Sequence, residues 1–85
     1  MAACTRQDIE RWLKEGQKNG ATHVIIVCDT YDWEDYPVFV NDKFQDVREE
    51  ANKRNGHNMQ RVMEVYSLKK DIKKQLNEHR AFHYD

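Results

Sequence analysis

The apolar positions of this chain fall into six blocks whose spacing changes along the sequence. Thr5-Arg6-Gln7-Asp8 has the form of a capping box, and Ile9, Trp12 and Leu13 follow on one helical face. Asn19-Gly20 supplies a left-handed stop, which predicts a first helix over 6–18. His23-Val24-Ile25-Ile26-Val27-Cys28 is continuous, β-branched and short, the pattern of a strand buried on both faces. Pro37-Val38-Phe39-Val40 reads as a second strand, with proline at its first position. Phe44, Val47 and Ala51 then share one face of a second helix, capped by Asn41 or Asp42 and ended by Asn55-Gly56. Residues 59–66 fit either strand or helix. Val62, Val65 and Tyr66 favour strand, and Ser67 looks like a fresh N-cap. Leu68, Ile72 and Leu76 mark a third helix, with Lys69, Lys70, Lys73 and Lys74 solvated.

The resulting order is α-β-β-α-β-α: an α+β fold with a small three-stranded sheet packed with helices. Residues 1–85 read as a single compact domain with no linker, repeat or low-complexity tract. Three short helices cover one face of such a sheet well and the other only in part. A leftover apolar face predicts a homo-oligomer, a dimer or larger.

Composition narrows the class. The chain has 85 residues, a mean hydropathy of −1.03 and a net charge of −1. No stretch approaches the roughly 18 apolar residues of a membrane span, and the start lacks the apolar run of a signal peptide. With Cys4 and Cys28 read as reduced thiols, the expected location is the cytoplasm, the host cytoplasm if the protein is phage-encoded. The neutral total conceals a division along the chain. Residues 1–28 sum to +1, residues 29–46 to −5 and residues 47–85 to +3. Sequence-specific nucleic-acid binding is not expected, because Asp71 and Glu78 interrupt the lysines and no aromatic is interleaved with them.

Two segments carry the most unusual chemistry. Asp29, Tyr31, Asp32, Trp33, Glu34, Asp35 and Tyr36 put four carboxylates and three aromatics into a strand-to-strand connection. Large aromatics in a loop imply burial against the domain itself, a partner or a ligand. The four carboxylates do not follow the calcium-loop spacing, so neither metal nor other cofactor is expected. The second segment is the C-terminal patch of His79, Arg80, Phe82, His83 and Tyr84. If the third helix continues, His79 and His83 join the stripe of Ile72 and Leu76. The histidine pair lacks the glutamate of a zinc-protease motif. Arg80 paired with a loop carboxylate is the preferred contact, since a guanidinium grips a carboxylate with two hydrogen bonds.

The runs from Ala21 to Val38, from Asn58 to Tyr66 and from Asn77 to Tyr84 resemble those of a family of small proteins in phage and bacterial genomes. The resemblance spans most of the chain. It implies a cytoplasmic accessory protein of a phage or prophage, and brings no activity, cofactor or catalytic residue.

The function expected from these readings is non-enzymatic binding of a small nucleotide-like ligand or a host protein. The acidic aromatic loop 29–36 and the C-terminal patch would form the site. The alternatives are a small hydrolase or transferase using Asp29, His23 and Cys28, or a purely structural oligomer subunit.

Overall fold

The computed structural model describes residues 5–31, 34–56, 59–78 and 81–84. Helix α1 (Arg6–Lys18) starts at the expected capping box: Asp8 N–H donates to Thr5 Oγ1 at 3.2 Å, and Thr5 N–H donates to Asp8 Oδ2 at 3.1 Å. It ends at Asn19, followed by Gly20 at φ +82°. Strand β1 (His23–Asp29) is central, flanked by β2 (Glu34–Val40) and β3 (Gln60–Ser67) in the order β2-β1-β3, antiparallel throughout. Helix α2 (Val47–Arg54) precedes β3, and the short α3 (Ile72–Leu76) follows it. The strand reading of 59–66 and the α+β order both hold.

Alternation along β1 sends its side chains to two separate cores. Val24 and Ile26 meet Ile9 and Leu13 of α1, Tyr66 of β3 and Ala81, with Ile72 and Leu76 of α3 packed alongside. Ile25 and Val27 meet Val47 and Ala51 of α2, with Val40 and Val65. One chain thus covers both faces of its central strand. The reason for expecting a second copy, an uncovered apolar face, is absent from β1. Among the described residues, no helix is long and apolar enough to cross a membrane. Gly16 lets α1 lie close to the sheet, because a Cβ there would come 3.1 Å from both Leu68 Cδ1 and Val24 Cγ2.

The structure corrects four local expectations. Strand β2 begins at Glu34, so Pro37 sits in its middle, opposite Ile26. An edge strand tolerates this, because the missing N–H can fall on the side that faces away from β1. Helix α2 is capped by Asp46, not by Asn41 or Asp42, and Phe44 lies outside it, 83% exposed. Residues 41–46 close a local turn instead, in which Asn41 Oδ1 accepts from Lys43 N–H at 3.0 Å. Helix α3 is capped by Asp71, whereas Ser67 is the last residue of β3. Finally, α3 stops at Leu76 with Asn77 as its C-cap, so His83 does not join a helical stripe. Residues 81–84 run beside β3 instead. Val65 N–H donates to Ala81 O at 2.8 Å, and His83 N–H donates to Val65 O at 2.9 Å.

That C-terminal segment belongs to a wider device on the outer edge of β3. Gly56 N–H donates to Gln60 O at 2.7 Å, and Val62 N–H to Asn55 Oδ1 at 3.3 Å. The Gln75 amide brackets Ser67, accepting from its N–H and donating to its C=O, both at 2.8 Å. A loop backbone, two amide side chains and the C-terminal segment replace the strand that an open edge would invite.

Candidate functional site

The acidic aromatic segment is mostly sheet. Asp29 ends β1, and Glu34, Asp35 and Tyr36 open β2, which leaves a four-residue connection over 30–33. The loop expected over 29–36 is therefore a short hairpin. The pairs Asp29–Glu34, Cys28–Asp35 and Val27–Tyr36 continue the ladder on its two sides. Asp29 Oδ1 accepts from Tyr31 N–H at 2.9 Å, and Tyr31 is 72% exposed. Tyr36 packs against the α2-side core, where its hydroxyl accepts from Gln60 Nε2 at 2.6 Å. Glu34 is exposed. Asp32 and Trp33 lie outside the described residues.

His23, Cys28 and Asp29 do not converge. They occupy the two ends of one strand, and five residue steps of about 3.3 Å put His23 about 17 Å from Cys28. Burial pushes the Cys28 thiol pKa up, and Asp35 opposite it pushes the same way. Alkylation of native Cys28 by iodoacetamide should therefore rise only above the ordinary thiol value of about 8.5. At pH 8 it should be at least about tenfold slower than in urea, as read by peptide mass mapping. Equal rates would refute this assignment of a structural thiol. Among the described residues, no three His, Cys, Asp or Glu side chains form a group that could hold a metal ion.

The C-terminal segment is anchored on both faces of the sheet. On the α1 side, Ala81 is fully buried and its N–H donates to Glu64 Oε2 at 3.1 Å. The His83 imidazole lies 2.7 Å from Glu78 Oε2. On the α2 side, the Arg48 guanidinium carbon stands 4.2 Å from the centroid of the Tyr84 ring. His79 and Arg80 lie outside the described residues, and so does the expected Arg80–carboxylate contact.

The two expected halves of the site sit on opposite flanks of the sheet. Strand β2 lies beyond β1, and the C-terminal segment lies beyond β3. Three strand spacings of about 4.8 Å separate them by about 14 Å. Tyr36 and Tyr84 share the α2-side core, but as packing side chains.

A different constellation assembles beside the C-terminal segment. Ala51, Asn52 and Asn55 of the α2 end, Arg61 and Val62 of β3, and Phe82 and Tyr84 line an open groove of about 240 Å³. The α2-to-β3 connection and the edge position of residues 81–84 bring these groups together. Phe82 presents a ring that is 43% exposed. Arg61 and the two asparagines are its polar residues, and no carboxylate is among the described residues that line it. A second depression of about 420 Å³ is lined by Lys70, Asp71, Lys74, Gln75, Glu78 and His83. Within it the His83 imidazole engages Glu78, and the Asp71 carboxylate caps α3 by accepting from the Lys74 backbone N–H.

Asn52 and Asn55 escaped the sequence reading because each looks like an ordinary solvated residue. The one signal pointing to Asn55 was its place as a helix stop before Gly56. No protein-family model matches this chain, and neither does any curated protein or solved structure in the comparisons.

Proposed function

We propose that the protein is a non-enzymatic binding protein that takes a small nucleotide-like ligand in the groove formed by α2, β3 and the C-terminal segment. The observation that carries this reading is the meeting of a partly exposed aromatic ring, Phe82, with the polar residues Asn52, Asn55 and Arg61 around an open groove of about 240 Å³. Planar bases stack on aromatic rings, and a guanidinium suits a phosphate. The volume falls below the roughly 300 Å³ at which pockets for drug-sized ligands begin. It suits a mononucleotide rather than a dinucleotide. An accessory protein of a phage or prophage could act this way by sequestering a nucleotide.

Base–aromatic stacking is worth roughly 1–3 kcal/mol by alanine substitution. Phe82→Ala should therefore weaken binding of uridine 5′-monophosphate about tenfold while leaving the melting temperature unchanged. Arg61→Ala should weaken it too and flatten its salt dependence. Unaltered binding in both variants would contradict the reading. A second reading rests on Tyr31, 72% exposed beside the exposed Glu34. In it, a basic surface of a host protein docks on the hairpin end.

A further inference from the structure

We infer that Arg48 is a positioning residue for this groove: its guanidinium holds the Tyr84 ring in place as one wall and acts on a bound nucleotide only through that ring. The inference rests on the proposed nucleotide site and goes beyond it by naming what fixes one of its walls. Its ground is where Tyr84 stands. The backbone bonds that tie the C-terminal segment to β3 run through Ala81 and His83, and Tyr84 lies one residue past them. Beyond such bonds, a residue's place depends on its own side-chain contacts. Tyr84 packs against the α2-side core and also lines the groove. The Arg48 guanidinium carbon stands 4.2 Å from the centroid of the same ring. The ring is therefore held by the core and by a cation over its face.

Helix α2 puts the cation there by its repeat. Arg48, Ala51, Asn52 and Asn55 follow the i, i+3, i+4, i+7 spacing of one helical face. The last three line the groove, whereas Arg48 is not among the described residues that do. Arg48 thus continues the groove's face toward the start of α2, where Tyr84 is its link to the ligand. Loss of the cation lowers the fraction of molecules with the ring in place, and apparent affinity falls with that fraction.

A double-mutant cycle separates this role from a direct contact with phosphate. Arg48→Gln keeps part of the stem and removes the charge, and Tyr84→Leu keeps an apolar side chain and removes the ring. Affinity for uridine 5′-monophosphate is measured by NMR titration in the wild-type protein, both single variants, the double variant and Phe82→Ala, with melting temperatures in parallel. Arg48→Gln alone should weaken binding about two- to fivefold, the scale of an exposed cation–π contact. It should have no effect in the Tyr84→Leu background. The Tyr84 ring-proton resonances of the free protein should shift in Arg48→Gln, and they decide the matter where Tyr84→Leu fails to fold or to bind. Equal weakening by Arg48→Gln in both backgrounds would overturn the positioning role in favour of a direct contact. Unchanged affinity or unchanged ring resonances in Arg48→Gln, with binding still weakened by Phe82→Ala, would overturn it and leave the nucleotide site standing. No saturable binding of the nucleotide would overturn both.

Discussion

Replacing Gln75 with alanine should cost about 3 kcal/mol of folding stability, far more than its place on a five-residue surface helix suggests. Gln75 is only 2% exposed. Its amide accepts from Ser67 N–H and donates to Ser67 C=O, and Nε2 also donates to Asp71 O at 3.1 Å. It thereby acts as one residue of a missing neighbour strand at the end of β3, where Ser67 is fully buried. Alanine removes these bonds together and leaves a cavity. Each buried backbone group that loses its partner costs roughly 1–3 kcal/mol, and the unfilled volume adds to that. Gln75→Met fills the volume without the bonds, so it should recover only a minor part of the loss. Urea unfolding of both variants checks this. A loss below about 0.5 kcal/mol, the range of a neutral surface substitution, would show that the amide does not hold the edge.

Arg6→Ala should be comparably damaging, with an expected loss of about 2–3 kcal/mol. Glu64 sits in the α1-side layer of β3, nearly buried, and its carboxylate accepts from Arg6 Nη1 at 3.2 and 3.3 Å and from Ala81 N–H. The same Arg6 Nη1 donates to Tyr66 Oη at 2.8 Å, and Nη2 donates to Glu78 O at 3.0 Å. One guanidinium thus ties the first turn of α1 to β3 and to the approach of the C-terminal segment. Burial, reinforced by Glu64, holds the Tyr66 phenol well above its ordinary pKa, so the ring stays a neutral partner. Removing one member of a buried ion pair typically costs 3–5 kcal/mol, because the other charge is stranded. Arg6 itself is 48% exposed, which moves the expectation to the lower figure. Glu64→Leu strands the guanidinium instead, which can turn to water. It should be the milder variant in α1 stability, yet should loosen Ala81. Hydrogen exchange at the Ala81 amide separates the two: it should accelerate strongly in Glu64→Leu, and unchanged protection there would refute the anchoring role.

The backbone plan was largely legible from the sequence, because hydrophobic spacing reports burial. Ile9 and Leu13, the run from Val24 to Val27, and Val65 with Tyr66 all lie where their periods put them. The misreadings have a common origin in polar groups that serve the backbone. Asn41 spends its side chain on a turn, which strands Phe44 outside α2. Gln75 and Asn55 cap a strand edge and resemble solvated surface residues to any pattern of hydrophobicity. The segment from Asp29 to Tyr36 looked like a binding loop because its residues are unusual. Its flanks pair as strands, with Tyr36 packed beneath the sheet, while Tyr31 stays exposed. Of the C-terminal patch read as histidines, arginine and aromatics, Phe82 and Tyr84 line the groove, because the edge pairing beside β3 holds them near the end of α2.

The central claim places ligand recognition at the C-terminal segment rather than at the acidic hairpin. Chemical-shift mapping of backbone and side-chain amides during a uridine 5′-monophosphate titration tests it most directly. The expected result is a saturable set of shifts centred on Asn52, Asn55, Arg61, Val62 and Phe82. Shifts confined to Tyr31, Glu34 and their neighbours, or no saturable shift at all, would contradict it.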